Sequence, residues 1–191
     1  MTANSIDRQR YTIDDLLSMP DDGKRYELIN GEIVEVGTSN EKHSTLGAWL
    51  IGMIFMHLQA TKIRGRLKGS DGTYQLNAST LKAPDISYLT ADSTAKVPRD
   101  AVYCPFGPDF AIEIKSPFNS QKYMQWQAEL YITARTQLVW TIDLVNQTVI
   151  VYRASGDTAT EYSGNIALDA SDVIPGFKID LAEMFAQIEG V

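Results

Sequence analysis

Apolar residues recur every three or four positions in two long segments of this chain, a spacing that predicts helices with one buried face. The first helix is expected over residues 42 to 60 and the second over residues 123 to 134. A shorter helix should begin after Thr12, which can cap it, and end before Pro20. The chain should close with a further helix from about Leu181.

Between the helices, runs of β-branched and aromatic residues predict strands. Asn30-Gly31 is a strong hairpin signal, and it lies between the runs 26–29 and 33–36. Further strands are expected near 73–76, 83–89, 109–115, 138–143 and 148–152. The helix at 123–134 has the length of a crossover, which makes the strands before and after it parallel neighbours. The fold class is therefore α/β, with a central mixed β-sheet flanked by helices and an N-terminal hairpin.

Three charged residues lie in or next to strands that are otherwise apolar. Asp85 stands near the start of one strand, and the next strand contains Glu113 and Lys115. Because side chains alternate along a strand, Glu113 and Lys115 share the face opposite Ile112 and Ile114. Charges are costly to bury alone, so this pattern favours a polar cleft. A less specific interpretation is an edge strand with an exposed ion pair.

The two carboxylates are suited to phosphodiester hydrolysis. That reaction requires neutralisation of charge on the phosphoryl oxygens and a hydroxide near neutral pH, and Mg²⁺ held by one or two carboxylates can supply both. Asp85 and Glu113 are suitable oxygen ligands, and Lys115 could orient the attacking water. The two histidines have no Cys or His partner at zinc-ligand spacing, so the sequence gives no zinc signal.

Length and composition indicate one domain that spans residues 1–191. The chain has 44% hydrophobic and 21% charged residues, enough to form a substantial core. Its one cysteine, Cys104, fits a reducing compartment. No apolar run approaches the roughly 18 residues that span a bilayer, and residues 1–5 lack a signal-peptide pattern. We therefore expect a cytoplasmic protein with no membrane association.

The order Pro84-Asp85, then Glu113-x-Lys115, resembles the PD-(D/E)XK nuclease superfamily, which has the restriction-endonuclease-like fold. Several surrounding motifs also resemble the Uma-type family of restriction endonucleases, over roughly residues 11 to 186. These are Tyr26-Glu-Leu-Ile-Asn-Gly-Glu32, His43 at a helix start, Glu113-x-x-Ser-Pro117, Leu138-Val-Trp-Thr-Ile-Asp143, and Ile174-Pro-Gly-Phe through Phe185. The resemblance implies a DNA endonuclease in which Asp85 and Glu113 bind Mg²⁺ or Mn²⁺ and Lys115 is catalytic.

Nuclease folds of this type often add an acidic residue from the N-terminal part of the domain. Either Glu27 or Glu32 could fill that role, and Glu27 is preferred because Leu28 would then face the core. The alternative for Glu27 is a solvated hairpin carboxylate. His43 is either a polar residue of the first helical turn or a residue that lines the site.

The chain departs from its relatives at the lysine. Many relatives carry an aliphatic residue at the position of Lys115 and a lysine in the following helix, four residues before a tyrosine. Here the residue four positions before Tyr131 is Gln127. We interpret Lys115 as the replacement for the helical lysine, and Gln127 as a supporting hydrogen-bonding group or an ordinary polar residue.

The net charge of −7 is unfavourable for DNA binding, which depends on Lys and Arg that neutralise phosphates. Lys62, Arg64, Arg66 and Lys68 alternate in a way that could form one basic strand face, although a solvated edge is the more common outcome. Cleavage of both strands of a duplex usually needs two sites, so we expect a homodimer. The competing hypothesis is a catalytically silent nuclease-fold domain that binds nucleic acid or a protein partner.

Overall fold

The computed structural model of the chain describes residues 10–156 and 159–189. Residues 1–5, whose sequence lacks a signal-peptide pattern, lie outside this part. The helices are Ile13–Leu17 (α1), Glu41–Thr61 (α2), Ala91–Lys96 (α3), Gln121–Thr133 (α4) and Leu181–Ala186 (α5). The strands are Tyr26–Ile29 (β1), Glu32–Glu35 (β2), Gly65–Lys68 (β3), Tyr74–Asn77 (β4), Thr80–Lys82 (β5), Ile86–Thr90 (β6), Phe110–Ile114 (β7), Leu138–Asp143 (β8), Thr148–Arg153 (β9), Thr160–Ser163 (β10), Ala167–Asp169 (β11) and Lys178–Asp180 (β12). In these residues no helix is both long and apolar enough to cross a membrane.

The central sheet has six strands in the order β10-β9-β8-β7-β6-β3. Strands β7 and β8 are parallel, as the crossover helix α4 predicts, and the other neighbours are antiparallel. The mixed sheet flanked by helices is thus confirmed. One face buries Ile112 and Ile114 in a cluster with apolar residues of α2. The other face buries Ala111 against Ala128 and Tyr131 of α4.

A second sheet of four strands, in the order β2-β1-β5-β4, contains the N-terminal hairpin. Asn30 and Gly31 form its turn with φ of 51° and 82°, a left-handed conformation that Asn and Gly adopt readily. Strand β1 also pairs with β5, where Leu28 lies opposite Leu81. These two leucines form a small core with Ile13 of α1. The hairpin prediction is confirmed, whereas β5, only three residues long, was not predicted.

Side-chain caps fix where the first two helices begin. Thr12 and Asp15 form a capping box at α1, as the Thr12 cap predicts. At α2, the Asn40 side chain accepts a hydrogen bond from the backbone N–H of His43. The cap therefore fixes His43 in the first turn of α2.

Candidate active site

Glu113 lies at the centre of the candidate site. It is 6% exposed and belongs to β7, the central strand whose residues are all buried. The antiparallel register pairs Ile86 with Ile112, which brings Asp85 alongside Glu113. Asp85 Oδ2 accepts a hydrogen bond of 2.7 Å from the backbone N–H of Ile114. Two carboxylates from neighbouring strands therefore meet at this end of the sheet.

A lysine from the second sheet completes this group of charges. Lys82 Nζ lies 3.2 Å from Glu27 Oε2 and 3.4 Å from Glu113 Oε1. The register that pairs Leu28 with Leu81 places Glu27 opposite Lys82. Glu27 is 7% and Lys82 4% exposed, and Glu27 Oε1 also accepts from the backbone N–H of Ala83 at 3.0 Å. Glu27 is thus a buried partner of the site and not a solvated hairpin residue, whereas Glu32 is exposed.

Helix α4 covers the site and contributes two polar side chains. Tyr131 donates a hydrogen bond of 2.7 Å to Glu113 Oε1. Gln127, one turn earlier on the same buried stripe, is 4% exposed. Its Oε1 atom has no hydrogen-bond partner among the described residues. An unpaired buried acceptor is costly, so this oxygen is a candidate acceptor for a bound water.

His43 approaches the same carboxylates from the start of α2. Its Nε2 atom lies 3.2 Å from Asp85 Oδ2, and both side chains are partly exposed. Burial lowers the pKa of His43, but the hydrogen bond and charge of Asp85 outweigh this effect and leave the pKa raised. His43 and the backbone N–H of Ile114 therefore both hold the same oxygen of Asp85, Oδ2.

Burial and the neighbouring charges shift the pKa values of Glu113, Lys82 and Tyr131. Burial raises the pKa of Glu113 to about 7, against the lowering effect of Lys82. Burial lowers the pKa of Lys82, but the negative charges of Glu113 and Glu27 outweigh this effect and raise the pKa above its usual value. Lys82 thus remains an ammonium ion at neutral pH. Burial, together with Glu113, raises the pKa of Tyr131 well above its ordinary value, so its hydroxyl remains a donor.

Lys115 lies directly after β7, and its ammonium contacts a different carboxylate. Lys115 Nζ lies 2.6 Å from Asp143 Oδ2, at the end of the neighbouring strand β8. Among the described residues, the ion pairs of Glu113 include Lys82 but not Lys115. The structure therefore brings Glu27, Asp85, Glu113 and His43 together through Lys82 and the register of β6 and β7, and directs Lys115 toward Asp143. Gln127 lies one turn before Tyr131 on the buried face of α4.

The donor set fits a metal that retains much of its water. No group of three or more His, Cys, Asp or Glu side chains that could hold a metal occurs within residues 10–156 and 159–189. Mg²⁺ is commonly bound through only one or two carboxylates together with water and substrate phosphate. Asp85 and Glu113, as adjacent carboxylates, meet that requirement, whereas a fully protein-coordinated ion is not supported.

Lys82 was missed in the sequence because it stands in a strand of only three residues. Two signals could have identified it. The residue lies in the run Leu81-Lys-Ala-Pro-Asp85, where it is the only cation among apolar residues before the aspartate. In addition, Leu81 faces the small core, so alternation turns Lys82 to the opposite face, toward Glu27.

Comparison with known proteins supports the interpretation of the fold. The crystal structure of a nuclease from Anabaena variabilis, described as "putative" and as belonging to DUF820, matches with a TM-score of 0.81 and 22% sequence identity. The match covers 93% of this chain and 98% of that chain. No curated protein matched the sequence. The profile of the Uma2 family, described as "Putative restriction endonuclease", matches residues 13–182. The chain therefore belongs to the Uma2 family, as its sequence motifs indicate.

Proposed function

We propose that this protein is a metal-dependent DNA endonuclease that hydrolyses phosphodiester bonds. The observation that carries the proposal is the position of Glu113, a buried carboxylate adjacent to Asp85 and shared between Lys82 and Tyr131. A buried carboxylate with a strongly raised pKa and several polar partners is typical of functional sites. Membership of the Uma2 family, described as "Putative restriction endonuclease", supports a nuclease reaction.

In this proposal Asp85 and Glu113 are the ligands of Mg²⁺ or Mn²⁺. Such an ion supplies Lewis-acid stabilisation of phosphoryl charge and lowers the pKa of bound water. The protein's own contribution is to hold the ligands in place. His43 and the Ile114 N–H orient Asp85, and Tyr131 orients Glu113. Glu27 is a positioning residue that holds Lys82 next to Glu113.

Lys82 and Lys115 have different roles in the proposal. The Lys82 side chain is 5% exposed and lies between two glutamates, where it neutralises the buried carboxylates. Moving it away would leave those carboxylates buried without a counterion, which is strongly destabilising. The Lys115 side chain is 19% exposed, and within the described part of the chain its one ionic partner is Asp143. Because Lys115 shares the sheet face of Glu113, it can exchange Asp143 for a substrate phosphate. Lys115 is thus the proposed catalytic lysine, and Gln127 provides an acceptor for the attacking water.

Plasmid cleavage tests the proposal. Purified protein with Mg²⁺ or Mn²⁺ should nick or linearise plasmid DNA, and Asp85→Asn should not. Equal cleavage by both proteins would identify a contaminating nuclease. Metal titration by calorimetry should show a weak site in the parent that is lost in Asp85→Asn and in Glu113→Gln. A correctly folded parent that binds no metal and leaves DNA intact would instead favour the catalytically silent domain.

We further propose that the active form is a homodimer, since one domain supplies one candidate site and duplex cleavage needs two. Light scattering at micromolar concentration with DNA should report a dimer. A monomer under those conditions would point to a nicking or single-strand activity.

A further inference from the structure

A cleft of about 290 Å³ opens at the β3 edge of the central sheet, away from the carboxylates of the candidate site. One wall of the cleft is the end of β3 together with the loop that follows this strand. The opposite wall is the loop after α3, residues 97–104. Three cationic residues line the cleft: Arg66, Lys68 and Arg99. Asp71 is the single carboxylate among the lining residues. The cleft is therefore locally basic in a chain with a net charge of −7.

The cations of the cleft are not neutralised by neighbouring acids. Within the described part of the chain, neither Arg66 nor Arg99 forms an ion pair with a carboxylate. Asp71 is 90% exposed and pairs with Arg25 at 3.4 Å. Two arginines without acidic partners in a concave surface form a suitable site for a phosphate group.

Lys68 is built into the wall of the cleft. Its Nζ atom lies 4.5 Å from the ring centroid of Tyr74, and the Tyr74 hydroxyl donates to Ser87 Oγ at 2.8 Å. Burial, with a smaller contribution from Arg66, lowers the pKa of Lys68. A Cβ added to Gly72 would lie 2.7 Å from Lys68 Cδ, so the glycine allows the loop to pack closely against this lysine.

The register of the central sheet relates the cleft to the candidate active site. Lys68 lies opposite Ser87, and Ser87 lies opposite Ala111, so the three share one face of the sheet. Glu113 is on the same face, two residues further along β7. Two strand spacings and two residues correspond to about 12 Å between the Cα atoms of Lys68 and Glu113. Arg66, two residues earlier on β3, lies about 16 Å from Glu113 by the same spacings. Both distances are on the order of a few nucleotides of one DNA strand.

We propose that this cleft binds a backbone phosphate of the nucleic-acid substrate a few nucleotides from the scissile bond. The inference rests on the proposed nuclease function for the identity of the ligand and on the cleft for its location. Arg66 and Arg99 contact the phosphate oxygens, and Lys68 adds charge from the wall. Such contacts position the strand without reading its sequence.

Fluorescence anisotropy with a short labelled DNA duplex, in EDTA to prevent cleavage, tests the proposal. The double variant Arg66→Gln/Arg99→Gln should raise Kd about tenfold and reduce the salt slope of binding by about 2. The matched control is Lys62→Gln/Arg135→Gln, which removes two exposed cations that do not line the cleft. Circular dichroism verifies that both variants are folded. Inorganic phosphate should compete only weakly, since a single free anion lacks the remaining contacts of a strand.

Cleavage assays on the same variants separate this inference from the proposed function. If the parent cleaves and the cleft variant binds DNA as the control does, the cleft proposal is overturned and the nuclease function stands. If the parent does not cleave with Mg²⁺ or Mn²⁺ but the cleft variant alone loses DNA binding, the cleft proposal stands and the nuclease function falls. If the parent neither binds nor cleaves DNA, both are overturned.

Discussion

Lys82 and Glu113 belong to different sheets, and their side chains meet with 3.4 Å between Nζ and Oε1. Lys82 also pairs with Glu27, the residue opposite it on β1. One ammonium therefore compensates two buried carboxylates at the boundary between the sheets. Removal of Lys82 would leave both carboxylates buried without their counterion, so the three charges act as a unit.

Replacement of Lys82 by methionine should destabilise the protein by about 3–5 kcal/mol, because two carboxylates lose their buried counterion. Denaturant unfolding measures this change. The exposed pair of Lys24 and Glu35, at 2.7 Å, provides the control, and Lys24→Met should cost under about 1 kcal/mol. Adding Glu27→Gln and Glu113→Gln to Lys82→Met should recover part of the lost stability. Equal costs for Lys82→Met and Lys24→Met would show that the buried charges are not coupled.

Replacement of Lys115 by serine should lower cleavage by about 100-fold or more, the effect of losing one charge-stabilising donor, while metal binding and folding remain. Adding Gln127→Lys should restore part of the activity, because the buried face of α4 carries Gln127 one turn before Tyr131, the partner of Glu113. The matched control is Gln127→Met in the same background, which should restore nothing. Full activity of Lys115→Ser would remove Lys115 from the mechanism and leave Lys82 as the lysine of the site.

Replacement of Tyr131 by phenylalanine removes the 2.7 Å hydrogen bond to Glu113 and little else. A hydrogen bond to a charged group contributes about 1.5–3 kcal/mol, so the free energy of unfolding should fall by that amount. Because Glu113 loses an orienting donor, kcat should fall and metal affinity should weaken as well. Loss of stability with unchanged kcat and metal affinity would make Tyr131 a purely structural residue.

The ion pair of Asp169 and Lys178, with 2.9 Å between its charged atoms, predicts an acid-dependent contribution to stability. Hydrogen bonds from Ser171, followed by one from Lys178, lower the pKa of Asp169 from 3.8 to about 2. A carboxylate whose pKa is lower in the folded than in the unfolded state stabilises the protein at pH values above its unfolded-state pKa. This stabilisation is lost as the pH falls through the folded-state pKa. The stability difference between the parent and Asp169→Asn should therefore be constant above about pH 5 and shrink between about pH 4 and 2. A difference that does not change over this range would contradict the pKa assignment.

Periodicity and turn chemistry predicted the parts of the fold that depend on local sequence. Such signals predicted the two long helices α2 and α4, the Asn30-Gly31 hairpin and the parallel pairing of β7 with β8. The placement of side chains at the site depends on tertiary contacts that these signals do not contain. Lys82 reaches Glu113 only because two sheets pack together, and Lys115 turns to Asp143 because β8 ends beside β7.

The basic cleft shows the same limit of sequence reasoning. Alternation along 62–68 predicted one charged strand face, but Lys62 has a left-handed conformation at the end of α2 and the strand begins at Gly65. Arg99 joins Arg66 and Lys68 from a loop that is more than thirty residues away. A concave surface built from such distant segments has no signature in a local pattern.

The pairing of charges across two sheets also has a consequence for the newly made chain. Glu27 and Lys82 leave the ribosome well before Glu113, so early segments hold only two of the three charges. The proposed chemistry becomes possible only after β7, which carries Glu113, has been synthesised and has joined the central sheet. A nascent chain that ends before β7 therefore lacks Glu113 and cannot assemble the proposed site.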